Sequence, residues 1–153
     1  MNPPVRWVAH VGRTKAEGME AIPDTAIISI SDPRTTPPLL DVWSAELRLR
    51  FDDATENDAL GDDILFTRDM ATETIGFIDQ NSDQNFVVHC EAGISRSAAV
   101  AQFISDVYGH ILQPRSGLPE QLQGYVRSHW LPLPNPMVSQ LLKERLWTAR
   151  FAR

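Results

Sequence analysis

Cysteine is almost absent from this sequence, since Cys90 is the one cysteine among 153 residues. A single cysteine excludes an intramolecular disulfide, which suits a chain that works in a reducing compartment. The sequence also lacks any stretch that approaches the ~18 consecutive apolar residues of a membrane-spanning helix. Its first residues lack the basic and apolar regions of a signal peptide. We therefore expect a soluble, cytoplasmic protein that does not associate with a membrane.

Basic residues are in deficit as well. The sequence has 14 Lys and Arg against 20 Asp and Glu, which gives a formal net charge of −6. Nucleic acids and anionic membranes attract proteins with a basic face, so we expect neither as a partner. The Asp and His residues show no ligand spacing such as His-Glu-x-x-His, and we expect no metal and no cofactor. The length suits a single domain over residues 1–153, which we expect to be a monomer.

Short apolar runs alternate with stretches of helical periodicity along the chain, which is typical of an α/β domain. The apolar runs predict strands at residues 5–11, 25–30, 46–51 and 86–89. The periodic stretches predict helices at residues 63–80, 96–108 and 137–150, and a short one at 39–45. Turn-forming residues predict a loop at 31–38, and scattered Pro and Gly predict an inserted loop at 113–131. The predicted fold is a central, mostly parallel sheet of four to five strands flanked by helices.

The most informative stretch lies between the last predicted strand and the helix that follows it. A loop entering a helix N-terminus directs backbone N–H groups inward, and with the helix dipole they favour an anion such as phosphate. Arg96 can hold two phosphate oxygens at once, and the same charges favour a nucleophilic thiolate at Cys90. Gly93 permits the left-handed backbone and close approach that such a loop needs. The predicted phosphate-binding loop consists of Glu91, Ala92, Gly93, Ile94, Ser95 and Arg96.

Residues 89–97 read His-Cys-Glu-Ala-Gly-Ile-Ser-Arg-Ser. This stretch resembles the His-Cys-x-x-Gly-x-x-Arg-Ser signature of the cysteine-dependent protein tyrosine phosphatase superfamily, in its dual-specificity form. The resemblance implies that fold, and hydrolysis of a phosphorylated protein or another phosphomonoester through a phosphocysteine intermediate. It also implies that Ser97 stabilises the departing thiolate and that His89 orients the loop by hydrogen bonding. The plainer interpretation is that Cys90 is a small buried residue at a strand end.

An acidic loop follows the third predicted strand. Expelling the leaving oxygen from phosphorus is slow unless a nearby carboxylic acid supplies a proton. Leu-Arg-Phe-Asp-Asp at residues 49–53 is similar to the acid loop of dual-specificity and lipid-directed members, which implies that Asp53 is the general acid. Asp52 and Asp58 remain alternatives, and a solvated acidic turn is the interpretation without catalysis. Residues 133–142, with Asn135, resemble the segment that begins the last helix of the family.

Three other function classes compete with this one. A rhodanese-like sulfurtransferase also places a cysteine loop after a strand, but its loop is one residue shorter and it has no use for the acidic loop. A non-catalytic phosphate-binding module would not need the full set of Cys90, Arg96 and Ser97. A phosphoinositide or RNA 5′-triphosphate phosphatase on the same fold is disfavoured on charge by Glu91. For two further candidates, His10 and Arg34, we expect structural or solvated roles.

Overall fold

A five-stranded sheet forms the centre of the computed structural model, which describes residues 5–114, 116–128 and 133–151. The strand order is β3-β2-β4-β1-β5, and every neighbouring pair is parallel. The strands are β1 Trp7–Gly12, β2 Thr25–Ser31, β3 Ala45–Arg50, β4 Asn85–Cys90 and β5 Ile111–Leu112. The helices of the described residues are α1 Arg13–Gly18, α2 Arg68–Gln80, α3 Arg96–Tyr108, α4 Glu120–Ser128 and α5 Pro136–Phe151. The predicted α/β class and the parallel central sheet are confirmed.

The strand sequences follow from where each strand lies in the sheet. Every residue of β1, β2 and β4 is buried, because a parallel sheet is covered on both faces and its central strands need apolar side chains on both sides. The edge strand β3 instead alternates, with Leu47 and Leu49 buried and Glu46, Arg48 and Arg50 facing outwards. Its period of two is the signature of a strand with one solvated face.

Helices cover the sheet on both faces. One face carries α2, α3 and α5, whose apolar side chains form a cluster with Val8, Ile28 and Val88 of the central strands. The opposite face carries Val87 and its neighbours, which pack with Ala16 of α1 and Leu122 of α4. These two layers leave the carboxyl ends of the strands as the edge from which the long loops depart.

Three predicted elements are wrong in whole or in part. The helix expected at residues 39–45 does not form, although its Trp43 is buried as expected. The Asp41 carboxylate accepts hydrogen bonds from the Ala21 and Val42 amides, and these contacts hold the segment in an extended path. The helix expected from residue 63 begins at Arg68, because Thr67 caps it by accepting a hydrogen bond from the Met70 amide at 3.1 Å.

The region at residues 113–131 is not entirely loop, since α4 occupies Glu120–Ser128. Its amphipathic pattern places Leu122 in the core, which the scattered Pro and Gly residues concealed. On the last helix, Leu142 is buried as expected, but the expectation that Trp147 packs inward is wrong, because 63% of that residue is exposed.

Candidate active site

The Cys90–Arg96 loop, defined here as residues 90–96, lies at the carboxyl edge of the sheet. Cys90 is the last residue of β4, and α3 begins at Arg96. Open parallel sheets bind their ligands in a crevice outside the carboxyl ends of the strands. The loops after β2 and β3 leave from this same edge and bring Asp32 and Asp53 to the Cys90–Arg96 loop.

The Cys90 sulfur is buried, with 2% of the residue exposed, yet its surroundings are polar. The Gly93 amide donates a hydrogen bond to Sγ at 3.2 Å, and the Ser97 hydroxyl lies 3.1 Å from Sγ. The sulfur is therefore in contact with two hydrogen-bonding groups. A cysteine that served only as a small apolar residue would have no need of them.

Gly93 has no room for a side chain. Its φ angle is 79°, in the left-handed region, and an added Cβ would lie 2.4 Å from the Gly12 nitrogen and from the Val11 carbonyl carbon. The Gly93 carbonyl accepts a hydrogen bond from His10 Nδ1 at 2.6 Å. Burial lowers the pKa of His10, and the Gly93 hydrogen bond offsets part of that change. His10 of β1 therefore holds the Cys90–Arg96 loop through its hydrogen bond with the Gly93 carbonyl. This is a structural role of the kind expected from the sequence.

Arg96 is buried at 4% exposure and is held from two sides. Its Nη1 donates to Asp32 Oδ1 at 2.6 Å and to the Phe51 carbonyl at 2.8 Å. Its Nε has no hydrogen-bond partner among the residues that the structure describes. A buried N–H without a partner is costly, so this donor suits an oxyanion. Sequence reasoning missed Asp32, whose one signal was its position directly after a buried strand.

The three acids considered for proton donation occupy different surroundings. Asp53 Oδ1 accepts hydrogen bonds from Ser95 Oγ at 2.7 Å and from Asn135 Nδ2 at 2.9 Å. Asp52 is paired with Arg34 at 3.0 Å and accepts from the Ile64 amide. Asp58 caps the turn at Thr55, and this backbone hydrogen bond lowers the pKa of Asp58. Of the three, Asp53 is the acid that contacts the Cys90–Arg96 loop.

Asn135 joins the acid, the loop and the last helix. Its Nδ2 donates to Asp53 Oδ1 and to the Ala54 carbonyl, while its Oδ1 accepts from the Met137 and Val138 amides at the start of α5. Its backbone N–H donates to the Ser95 carbonyl at 3.1 Å. The family resemblance singled out this segment, but no pattern in the sequence indicated that the Asn135 amide contacts Asp53.

His89 points towards β2 rather than into the loop. Its Nε2 shares a hydrogen bond with Ser29 Oγ at 2.6 Å, and 1% of the residue is exposed. Burial lowers the pKa of His89 to about 4. The neutral ring therefore ties β4 to β2 immediately before the loop begins.

The remaining loop residues are fixed by neighbouring segments. The Glu91 carboxylate lies 3.3 Å from Arg13 Nη1, and the Glu91 carbonyl accepts a hydrogen bond from the Arg13 amide at 3.1 Å. The Ile94 carbonyl accepts from the Leu133 amide at 2.7 Å. Because Arg13 also pairs with Glu17 at 2.7 Å, it offsets only part of the Glu91 charge at the mouth of the loop.

The all-parallel sheet and the loop at its carboxyl edge place this chain among α/β proteins that carry a polar site at a strand–helix junction. No family model matches the sequence, and no curated protein matches it. The crystal structure of human tyrosine phosphatase-like serine/threonine/tyrosine-interacting protein is similar, with 23% identity and a TM-score of 0.47. The match covers 84% of this chain and 79% of that one.

The part of the chain that the structure describes contains neither a metal-binding group nor a membrane-spanning helix. Within residues 5–114, 116–128 and 133–151, no three His, Cys, Asp or Glu side chains form a group that could hold a metal ion. In the same part of the chain, none of the helices has the length and apolar character to cross a membrane.

Proposed function

We propose that this protein hydrolyses phosphomonoesters through a phosphocysteine intermediate, as a protein phosphatase of the tyrosine or dual-specificity type. The observation that carries the proposal is the pairing of Cys90 with Arg96 at one loop. The Gly93 amide and the Ser97 hydroxyl lie within hydrogen-bond distance of the Cys90 sulfur, and the buried guanidinium of Arg96 has a donor without a partner among the described residues. A nucleophile and an oxyanion site are thereby side by side.

In the first step, the Cys90 thiolate attacks phosphorus and a P–S bond forms while the ester P–O bond breaks. Arg96 and the loop amides hold the equatorial oxygens, whose charge is greatest in the transition state. Asp53, as the carboxylic acid, transfers its proton to the leaving oxygen. The products of this step are the free alcohol and a phosphocysteine.

In the second step, water attacks phosphorus and the P–S bond breaks. The Asp53 carboxylate takes the proton from water, which restores the acid. The Ser97 hydroxyl, 3.1 Å from Sγ, donates a hydrogen bond to the departing Cys90 thiolate. Inorganic phosphate leaves, and the enzyme returns to its starting protonation state.

Hydrolysis of p-nitrophenyl phosphate by three variants tests the mechanism. Cys90→Ser should abolish turnover, and Asp53→Asn should lower kcat by about 10²- to 10⁴-fold, the usual contribution of a general acid. Asp58→Asn is the matched control, because this acid of the same loop contacts Thr55 rather than the site, and it should keep near wild-type activity. Turnover by the Cys90→Ser variant would exclude the phosphocysteine route.

The alternatives separate on substrate. Ser95 and Asn135 hold Asp53 beside the Cys90–Arg96 loop through hydrogen bonds. A carboxylic acid held there can protonate an oxygen leaving group, whereas sulfur transfer does not require such an acid. This favours a phosphatase over a sulfurtransferase. A thiosulfate sulfurtransferase assay should therefore be negative. Hydrolysis of any ester would exclude a purely non-catalytic module. A panel of phosphotyrosyl and phosphoseryl peptides, phosphoinositides and triphosphorylated RNA would decide among the substrates, with phosphotyrosyl peptides expected to lead.

A further inference from the structure

A cavity of about 490 Å³ borders the Cys90–Arg96 loop, and we call it the Lys15 cavity. Glu91 and Ala92, the two residues that follow Cys90, form one wall, and Thr14 and Lys15 of α1 form another. Tyr125 of α4 closes the remaining side and accepts a hydrogen bond from the Gly12 amide at 2.8 Å. Because Gly12 lies opposite Cys90 in the register of β1 and β4, the cavity begins one strand away from the sulfur.

One cation that lines this cavity, Lys15, has no direct ion-pair partner among the described residues. Lys15 Nζ lies 5.9 Å from the centroid of the Tyr125 ring, and no carboxylate of the described residues lies within 4.0 Å of it. Two acids lie near Lys15, Glu17 in the chain and Glu91 in the cavity wall, and Arg13 contacts both of them, with Nε 2.7 Å from Glu17 and Nη1 3.3 Å from Glu91. The ammonium of Lys15 is therefore a half-buried cation with an aromatic wall and without a counter-ion among these residues.

We propose that the Lys15 cavity binds an acidic side chain that flanks the phosphorylated residue of a peptide substrate. The proposal rests on the phosphatase function proposed above. One ammonium matches a single carboxylate, whereas a second phosphate dianion would keep an uncompensated charge. The Tyr125 ring offers an apolar wall for the methylenes of a glutamate.

The geometry also limits where the acidic residue lies. The cavity wall follows directly after Cys90 in the chain, and each residue of an extended peptide advances at most ~3.3–3.6 Å. The acidic residue should thus lie one or two positions from the phosphorylated one. Because Tyr125 of α4 forms part of the cavity, α4 contributes to the choice of peptide sequence, which the Cys90–Arg96 loop alone does not determine.

The test compares matched phosphotyrosyl peptides that carry Glu or Gln at one position, from two residues before to two residues after the phosphotyrosine. For the wild-type protein, kcat/KM should be about fivefold higher for the Glu peptide at one of these positions in low salt, the size of an exposed ion pair. The preference should fall as salt is added. The ratio for two peptides within one variant is independent of the amount of folded enzyme.

Lys15→Met should bring the ratio to about one, and Lys15→Glu should reverse it. Lys143→Met, which removes an exposed lysine of α5, is the control and should keep the wild-type preference. A preference that survives in Lys15→Met would overturn the proposal, as would a wild-type ratio of one at every position. The proposal would also be overturned if Lys15 increased kcat/KM only for small substrates with two phosphates. That result would show that the cavity binds a second phosphate rather than a carboxylate. Hydrolysis of the Gln peptides separates these outcomes from failure of the phosphatase function, in which no peptide would be cleaved.

Discussion

His89 should make the folded protein sensitive to acid over a defined range of pH. Burial lowers the pKa of this histidine from 6.5 to about 4 in the folded state. As the pH falls below 6.5 the unfolded chain binds a proton, while the folded chain does not until about pH 4. The unfolded state is therefore favoured progressively, and the stability lost is greatest below pH 4.

The size of the effect follows from the same two pKa values. A shift from 6.5 to about 4 makes the free energy of unfolding about 2 kcal/mol lower at pH 5 than at pH 7, and about 3 kcal/mol lower at pH 4. This is a large fraction of the roughly 5–15 kcal/mol by which a domain is usually stable. Other groups add to the total, including His10, whose pKa burial also lowers.

Urea unfolding at pH 7 and pH 5 isolates the contribution of His89. His89→Gln removes the titrating ring and keeps a side chain that can bond Ser29, so the stability lost between the two pH values should be about 2 kcal/mol smaller than for the wild type. Ser29→Ala removes the partner of the ring, at 2.6 Å, and keeps the titration. It should lower stability at both pH values and retain the pH dependence. An equal loss in His89→Gln and wild type would refute the reasoning.

Two further predictions concern the loop and its arginine. Gly93→Ala should lower kcat for p-nitrophenyl phosphate at least 100-fold, because its Cβ would lie 2.4 Å from backbone atoms. Gly109→Ala is the control, because Gly109 has a similar φ of 77° and an added Cβ would meet no atom within 4 Å. This variant should lose only about 1–2 kcal/mol of stability, from left-handed backbone strain, and should keep its activity. Equal activity in the two variants would contradict the steric argument. Asp32→Asn should lower kcat/KM about tenfold, as expected for weakening a charged hydrogen bond to Arg96 that is partly open to solvent. Asp62→Asn, an exposed acid, should have no effect in the same assay, and an unchanged Asp32→Asn variant would show that the pair does not position the guanidinium.

The elements that sequence predicted well are those that local pattern determines. The strand expected at residues 86–89 is observed at Asn85–Cys90, and the helix expected at 96–108 is observed at Arg96–Tyr108 with Gly109 in the left-handed conformation. Cys90, Gly93 and Ser97 lie within eight consecutive residues. Their spacing alone is therefore enough to predict that they contact one another.

The groups that sequence could not identify are brought in by the topology. Asp32 lies 64 positions from Arg96, and Asn135 lies 82 positions from Asp53. Asp32 meets the site because parallel strands end at one edge, and this depends on strand order, which hydrophobic pattern does not encode. Asn135 directly precedes α5, and it meets the site because α5 packs in the same core cluster as α3. Local composition misled in another way at residues 39–45, where the Asp41 carboxylate accepts hydrogen bonds from backbone amides in place of those of a helix.

The position of β1 in the sheet has a consequence for the order in which the chain is synthesised. β1 is the first strand made, yet its neighbours on both sides come much later, since Val8 pairs with Phe86 and Trp7 with Ile111. β2 and β3 can pair with each other early, whereas β1 must wait for about half of the chain to emerge. During that time a strand that is mostly apolar has no partner, which is the condition under which nascent chains aggregate or engage chaperones. Arrival of β4 ends this exposure and places Cys90 beside Gly12, so the strand that supports the loop and the loop itself become ordered together.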